Sequence, residues 1–223
     1  MYFIFKRLFD IILCSLAVIV LFPIYLLTAV GIEISSPGTV LYHSLRAGRE
    51  KKPFKFYKFR SMHPPKGKKK DMFVADPDRV FKFGKWIRRL KIDELPQLFN
   101  VIKGDMSIVG PRPMTVEHVE QLYSGKYEPI SQIKPGLTSP ASLYDYTVGD
   151  TYQDNDAYRR EVLPVKLEME LMYVERQSFL YDCGLVVRTI ATILQVIIGH
   201  DNIKEQPELK EAKIRVNMNR SKV

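Results

Sequence analysis

Charge is missing from one long stretch of this chain, and acids are in short supply throughout. No residue between Ile11 and Ile32 is charged. A straight helix of that stretch rises about 33 Å, enough to cross a hydrocarbon core of ~30 Å. It begins too late and runs too long for a secretory signal of the usual form. Cysteine is nearly absent: Cys14 and Cys183 are the only two, and their spacing fits neither a metal site nor a redox pair, which leaves them as packing residues. The four histidines, His43, His63, His118 and His200, form no ligand constellation. No internal repeat is present. Against 34 Lys and Arg stand only 25 Asp and Glu, a net charge of +9, which suits an anionic membrane surface and phosphorylated ligands. That charge would also draw nucleic acid, but no recognition motif accompanies it, so no nucleic-acid partner is expected. At 223 residues the chain suits one domain and a membrane anchor.

Two features argue against a simple crossing. Pro23 falls near the middle of the uncharged run, where it removes a helical hydrogen bond and bends the segment. Basic residues flank both ends, Lys6 and Arg7 before it and Arg46, Arg49, Lys51 and Lys52 after it. Lys and Arg concentrate on the cytoplasmic side, so both ends are expected there. The reading is a re-entrant helix over residues 1–35 that enters and leaves by one leaflet.

The densest chemistry lies between Leu90 and Pro113, with Asp93 and Glu94 adjacent, then Asp105, then Gly110-Pro111-Arg112-Pro113. Neighbouring residues on a helix point about 100° apart, so the two acids do two jobs rather than one. Leu95, Leu98, Phe99, Val101 and Ile102 recur at helical spacing with Pro96 near the start, which places Asp93 at or just before a helix N-terminus, where anions are favoured. A plain N-cap would explain one acid, not the second or the Pro-Arg corner. The prolines around Arg112 fix its backbone, as suits a guanidinium that must meet phosphate oxygens. Gly104-Asp105 reads equally as a turn or as a further carboxylate ligand. Phe54 to Arg60 alternates with period two, a strand that would put Lys58 and Arg60 on the face of Phe54 and Phe56.

The Leu90–Pro113 segment resembles the core motif of the monotopic phosphoglycosyl transferases, the small bacterial sugar transferases that act on polyprenyl phosphate. Tyr57-Lys58-Phe59-Arg60-Ser61-Met62 and Arg88 match further elements of that pattern. The resemblance implies transfer of a sugar 1-phosphate from a nucleotide sugar, with UDP as the expected carrier, onto membrane polyprenyl phosphate. Asp93 would attack the β-phosphate to give a phosphosugar–aspartyl intermediate and release the nucleoside monophosphate, with Glu94 assisting. Mg²⁺ would sit at Asp93 and Glu94, with Asp105 a further ligand candidate. Lys58, Arg60, Arg88, Pro111 and Arg112 would bind phosphate or substrate. The partners implied are the donor, the lipid acceptor and the phospholipid membrane, and the assembly is open, a homodimer included. The implied location is the bacterial inner membrane with the catalytic domain on its cytoplasmic face. Two places depart from the family pattern. Phe22 precedes the membrane proline where a serine is usual, and Lys134-Pro135-Gly136-Leu137-Thr138 continues without the expected arginine. Sugar specificity is therefore sought in the Ser139–Asp150 stretch.

The fold expected is mixed α/β, mainly helical with few short strands, carrying the re-entrant helix and membrane-surface amphipathic helices. Residues 36–200 would form the cytoplasmic catalytic domain. Residues 117–156 read mainly as loops. Val165–Gln177 reads as a helix entered by Pro164. Leu185–Ile198 is a helix with one apolar face, either a core helix or one lying in the membrane interface. Lys66–Lys70 is expected as a basic loop, and 201–223 as a polar, poorly ordered tail. Two rival functions stay open: a transferase whose carboxylates only hold Mg²⁺ while the lipid phosphate attacks directly, and a non-catalytic membrane scaffold.

Overall fold

The computed structural model describes residues 2–64, 76–148, 152, 154–198 and 205–220. The Lys66–Lys70 run, His200 and the end of the Ser139–Asp150 stretch lie outside the described residues.

The first element, α1 (Tyr2–Ser35), continues through Pro23. Its inward stripe buries Asp10, Cys14, Thr28 and Ile32, while Ile12, Leu16, Ile19, Val20, Phe22, Leu26, Leu27 and Val30 stay exposed. Both halves of α1 are fastened to one domain. Near its start, the Arg7 guanidinium donates to the carbonyls of Val101 and Ile102 at 2.6 and 2.7 Å. These carbonyls end a helix and would otherwise lack partners. One turn on, Asp10 accepts from the Ser107 hydroxyl at 2.8 Å and the Ile108 amide at 3.1 Å, which satisfies a carboxylate in an otherwise apolar helix. Beyond Pro23, the Tyr25 hydroxyl donates to the Leu95 carbonyl at 2.6 Å, and Ile32 packs with Phe59, Phe81 and Ile87.

Strands β1 (Leu41–Ala47) and β2 (Pro53–Phe59) pair antiparallel, Leu41 opposite Phe59 and Ala47 opposite Pro53. The turn between them puts Glu50 and Lys51 in the left-handed region. In β2 the expected alternation is present: Phe54 and Phe56 are buried and Lys55 is exposed. Helix α2 (Lys82–Arg89), a 3-10 turn (Ile92–Glu94) and α3 (Gln97–Lys103) follow. Strand β3 (Ser107–Val109) pairs parallel with β4 (Gly136–Thr138). Their approach is so close that a Cβ on Gly136 would collide with the backbone of Gly110.

The segment expected as loops between 117 and 156 is largely helical: α4 (Val116–Leu122), a 3-10 stretch (Gly125–Gln132), α5 (Pro140–Val148) and the start of α6 (Asn155–Glu161). Local signals carry two of these starts, since Thr115 caps the His118 amide and Asp154 caps two amides of α6. Helix α7 (Leu163–Arg176) begins with Pro164 as expected, and its Val165, Leu167, Met169 and Met172 centre the main core.

Helix α8 (Phe179–Ile198) buries Leu185, but Leu180, Val187, Ile190, Leu194, Ile197 and Ile198 are exposed, so it is not a core helix. The described part of the expected tail also differs, because α9 (Glu208–Arg220) packs Leu209, Ala212 and Val216 into the α7 core. Its polar sequence hid this stripe of small and aliphatic residues. Arg188 of α8 clamps Glu208 with two hydrogen bonds of 2.9 and 3.0 Å.

Candidate functional site

The acid pair sits on the 3-10 turn that precedes α3, not on the helix itself. Lys91, at φ 55°, turns the chain into this element. Asp93 is 3% exposed and caps nothing: its Oδ1 is buried without a hydrogen-bond partner. β2 delivers Lys58 to both acids, 2.7 Å from Glu94 Oε1 and 3.8 Å from Asp93 Oδ2, with its ammonium 5.6 Å from the centre of the Phe56 ring. Arg112 comes within 3.7 Å of the same Glu94 oxygen.

These surroundings push the neighbours apart. Burial raises the Asp93 carboxyl above its ordinary range, and the Lys58 charge only partly opposes it. Burial would raise Glu94 too, but Lys58, Arg112 and Lys91 outweigh it and hold that carboxyl well below the usual range. Two carboxylates with environments this different suit two roles.

The Pro-Arg corner is fixed by backbone pairing with β4. Gly136 donates to the Pro111 carbonyl at 2.8 Å and Gly110 to the Thr138 carbonyl at 3.0 Å. The Arg112 amide then donates to Glu170 Oε1 at 3.0 Å, and Ser139 donates to that oxygen at 2.9 Å. Burial pushes the Glu170 carboxyl up to about 7 against these two donors. A cavity of about 240 Å³ opens between the corner and α7, with Lys58, Glu94 and Arg112 among its walls and Lys166 and Glu170 among the others. Lys166 holds both Asp145 oxygens at 2.8 Å.

Of the residues expected from sequence, Asp93, Glu94, Lys58 and Arg112 converge. Arg88 lies close enough for its charge to oppose the rise of Asp93, and its guanidinium reaches Met62 Sδ at 3.6 Å. Arg60 does not join them. β2 ends at Phe59, so the alternation that carries Lys58 inward stops one residue short, and Arg60 hydrogen-bonds the Ser36 carbonyl at the end of α1. Asp105 is also elsewhere: Gly104 ends α3 in the left-handed region, and the carboxylate meets Asn100 and Lys103 at the opposite end of that helix. Pro111 serves through its carbonyl on Gly136. Sequence reasoning missed Arg46, Gln97, Lys166 and Glu170. The last two carried a signal, since a lysine and a glutamate four residues apart lie among the apolar residues of α7.

The residues at the pair suit a hard divalent cation. Among the described residues no group of three His, Cys, Asp or Glu side chains is placed to hold a metal. Mg²⁺ does not need one, because it takes one or two carboxylates and completes its shell with waters and substrate phosphates. The unpartnered Asp93 Oδ1 beside the Glu94 carboxylate supplies that donor set.

A buried acid with cations close by thus lies on a domain that also exposes the outward apolar face of a long helix. The chain belongs to the bacterial sugar transferase family, whose model matches residues 1–196. It is 37% identical over 194 residues to the uncharacterized sugar transferase EpsL of Bacillus subtilis, covering 85% of this chain and 87% of that protein. It is 38% identical over 190 residues to a UDP-glucose:undecaprenyl-phosphate glucose-1-phosphate transferase of Klebsiella pneumoniae. It is also 38% identical over 194 residues to a UDP-N-acetylgalactosamine-undecaprenyl-phosphate N-acetylgalactosaminephosphotransferase of Aeromonas hydrophila. These two matches cover 84% and 85% of this chain but only 39% and 43% of those longer proteins.

Proposed function

We propose that this protein transfers a sugar 1-phosphate from a UDP-sugar to membrane undecaprenyl phosphate, the first step of a glycan chain. The observation that carries the reading is Asp93, a buried carboxylate with one unpartnered oxygen, facing Lys58 beside a proline-fixed arginine. In the first half-reaction an Asp93 oxygen attacks the β-phosphorus of the donor. The bond from that phosphorus to the bridging oxygen breaks, and UMP leaves with the electron pair. In the second, a phosphate oxygen of the lipid attacks the same phosphorus, and the bond to Asp93 breaks. Lys58 and Arg112 hold the diphosphate in line and offset its charge, which is most of what phosphoryl transfer asks of a protein. Glu94 keeps Lys58 in place. Mg²⁺ bound at Asp93 and Glu94 would screen the approach of one anion to another.

The lipid acceptor calls for a site at a membrane surface. Among the described residues two helices, Tyr2–Ser35 and Phe179–Ile198, are long and apolar enough to cross a membrane. Yet α1 bonds the same domain before and beyond Pro23, through Arg7, Asp10 and Tyr25. A full crossing would carry one of those attachments away from the domain. The reading is therefore a monotopic protein, with α1 re-entrant in one leaflet, α8 at the interface and the catalytic domain on the cytoplasmic face of the inner membrane.

The test is transfer of radiolabelled sugar phosphate from each of several UDP-sugars to undecaprenyl phosphate with Mg²⁺, by protein in lipid nanodiscs. Wild type should transfer from at least one donor and release UMP, and Asp93→Asn should lose at least ~10³-fold, as removal of a nucleophile does. A fully active Asp93→Asn would leave direct attack by the lipid phosphate standing. A folded, membrane-bound wild type inert to every donor would favour the scaffold.

A further inference from the structure

The cavity beside the Pro-Arg corner has a second end that phosphate chemistry does not explain. Arg46, Gln97, Tyr123 and Glu170 all line it. Each carries a buried nitrogen or oxygen without a hydrogen-bond partner: Arg46 Nε, Gln97 Nε2, the Tyr123 hydroxyl and Glu170 Oε2. Gln97, Tyr123 and Glu170 are 2%, 4% and 4% exposed, so bulk solvent does not reach these groups. Native interiors leave few such groups, and each asks for an explanation. Four in the walls of one chamber point to a ligand that supplies the missing bonds.

Their chemistry selects the ligand. Arg46 and Gln97 offer donors, Glu170 an acceptor when ionised and a donor when it holds its proton, and a phenol either. Phosphate only accepts, so it would leave an ionised Glu170 without a donor and bring two anions together. A sugar ring presents hydroxyls that both donate and accept. Size agrees, since the whole cavity, phosphate end included, is about 240 Å³, below the roughly 300–1,000 Å³ of pockets that enclose a whole drug-sized ligand. Position agrees as well. The backbone of Arg112 binds Glu170 while its side chain approaches Glu94, so the chamber lies one residue away from the reaction centre. That is where the sugar of a donor must lie when its β-phosphate meets Asp93.

We propose that Arg46, Gln97, Tyr123 and Glu170 form the chamber that reads the hydroxyls of the donor's sugar, with Tyr123 and Glu170 as its specificity-determining residues. The inference rests on the transfer reading above. It moves the reading of the sugar from the Ser139–Asp150 stretch to residues outside it; that stretch supports the chamber, Ser139 by its bond to Glu170 and Asp145 by its contacts with Lys166 and Arg112.

The test uses the full chain in nanodiscs with undecaprenyl phosphate, Mg²⁺ and four donors: UDP-glucose, UDP-galactose and their two N-acetylhexosamine counterparts. Wild type, Tyr123→Phe and Glu170→Gln are compared by kcat/KM for each donor, by inhibition with UDP, and by melting temperature. Because the Tyr123 hydroxyl has no partner in the protein, Tyr123→Phe should melt no lower than wild type. Its kcat/KM for the preferred donor should still fall about 10- to 100-fold, the cost of one lost buried hydrogen bond. The C4 epimer of that donor should lose less, and UDP inhibition should stay within about twofold. Glu170→Gln should shift the donor ranking in the same way; if it does not fold, Tyr123→Phe decides alone. Equal losses on all four donors, parallel weakening by UDP, or no loss would overturn the chamber. A wild type inert to all four donors would instead sink the transfer reading, and this inference with it.

Discussion

Lys58 sets the difference between two adjacent acids. Its ammonium touches Glu94 at 2.7 Å and stands 3.8 Å from Asp93, so it keeps the first ionised and leaves the second an open oxygen. Lys58→Met should therefore lower stability by about 2 kcal/mol, the worth of a hydrogen bond to a charged group, visible in chemical denaturation, and should reduce transfer much further. Glu170 supplies a pH signature. Its carboxyl rises from 4.5 to about 7 on burial, so the folded state binds the proton more tightly than the unfolded chain does. Stability from this group is whole below pH 4.5, falls as pH rises towards 7 and stays flat above. The loss is about 3 kcal/mol at about 1.36 kcal/mol per unit. Arg112, Ser139, Lys166, Asp145 and Tyr123 face this carboxyl. Melting curves across pH should show Glu170→Gln gaining on wild type between pH 5 and 8, by about that amount. At this scale the sequence spoke clearly where chemistry is local. Asp93 and Glu94 announce themselves by adjacency, and Lys58 by alternation along β2. Arg60 shared the alternation but not the strand, whose last residue is Phe59. Gln97, Tyr123 and Glu170 could not be grouped from sequence, because only packing brings such distant segments to one cavity.

At the level of elements, the corner that carries Arg112 is an assembly of two strands rather than a stiff loop. The prolines were legible, but their partner was not: β4 supplies the bonds to Gly110 and Pro111, and no spacing rule links residues 110 and 136. Gly136→Ala should be disproportionately damaging for one methyl group, since it would collide with the Gly110 backbone. A loss of at least ~2 kcal/mol is expected, within the range of overpacking, together with loss of transfer. Helix α9 was illegible for a different reason. Its charged residues dominate the composition, while Leu209, Ala212 and Val216 suffice to bury one stripe against α7. Leu209→Ala should cost about 2–3 kcal/mol in denaturation, as cavities in cores do, and leave donor ranking unchanged.

For the whole molecule, α1 joins an exposed apolar surface to the site. Its outward residues are apolar and exposed, while Arg7, Asp10 and Tyr25 tie its inward face to α3, β3 and the turn that carries Asp93 and Glu94. Composition alone marked the helix as able to span; the polar ties on both sides of Pro23 argue for one leaflet. Tags placed before Tyr2 and after Ser36 should both be reached by a protease from the cytoplasmic side, and protection of either would defeat the re-entrant topology. The central claim is that Asp93 becomes covalently linked to the sugar phosphate, and intact-protein mass spectrometry tests it most directly. With its preferred UDP-sugar and Mg²⁺, and without lipid, wild type should gain the mass of one sugar phosphate, located on Asp93 by peptide mapping, while Asp93→Asn gains none. A wild type that transfers sugar phosphate to lipid yet never carries that mass, even when quenched during turnover, would contradict the account.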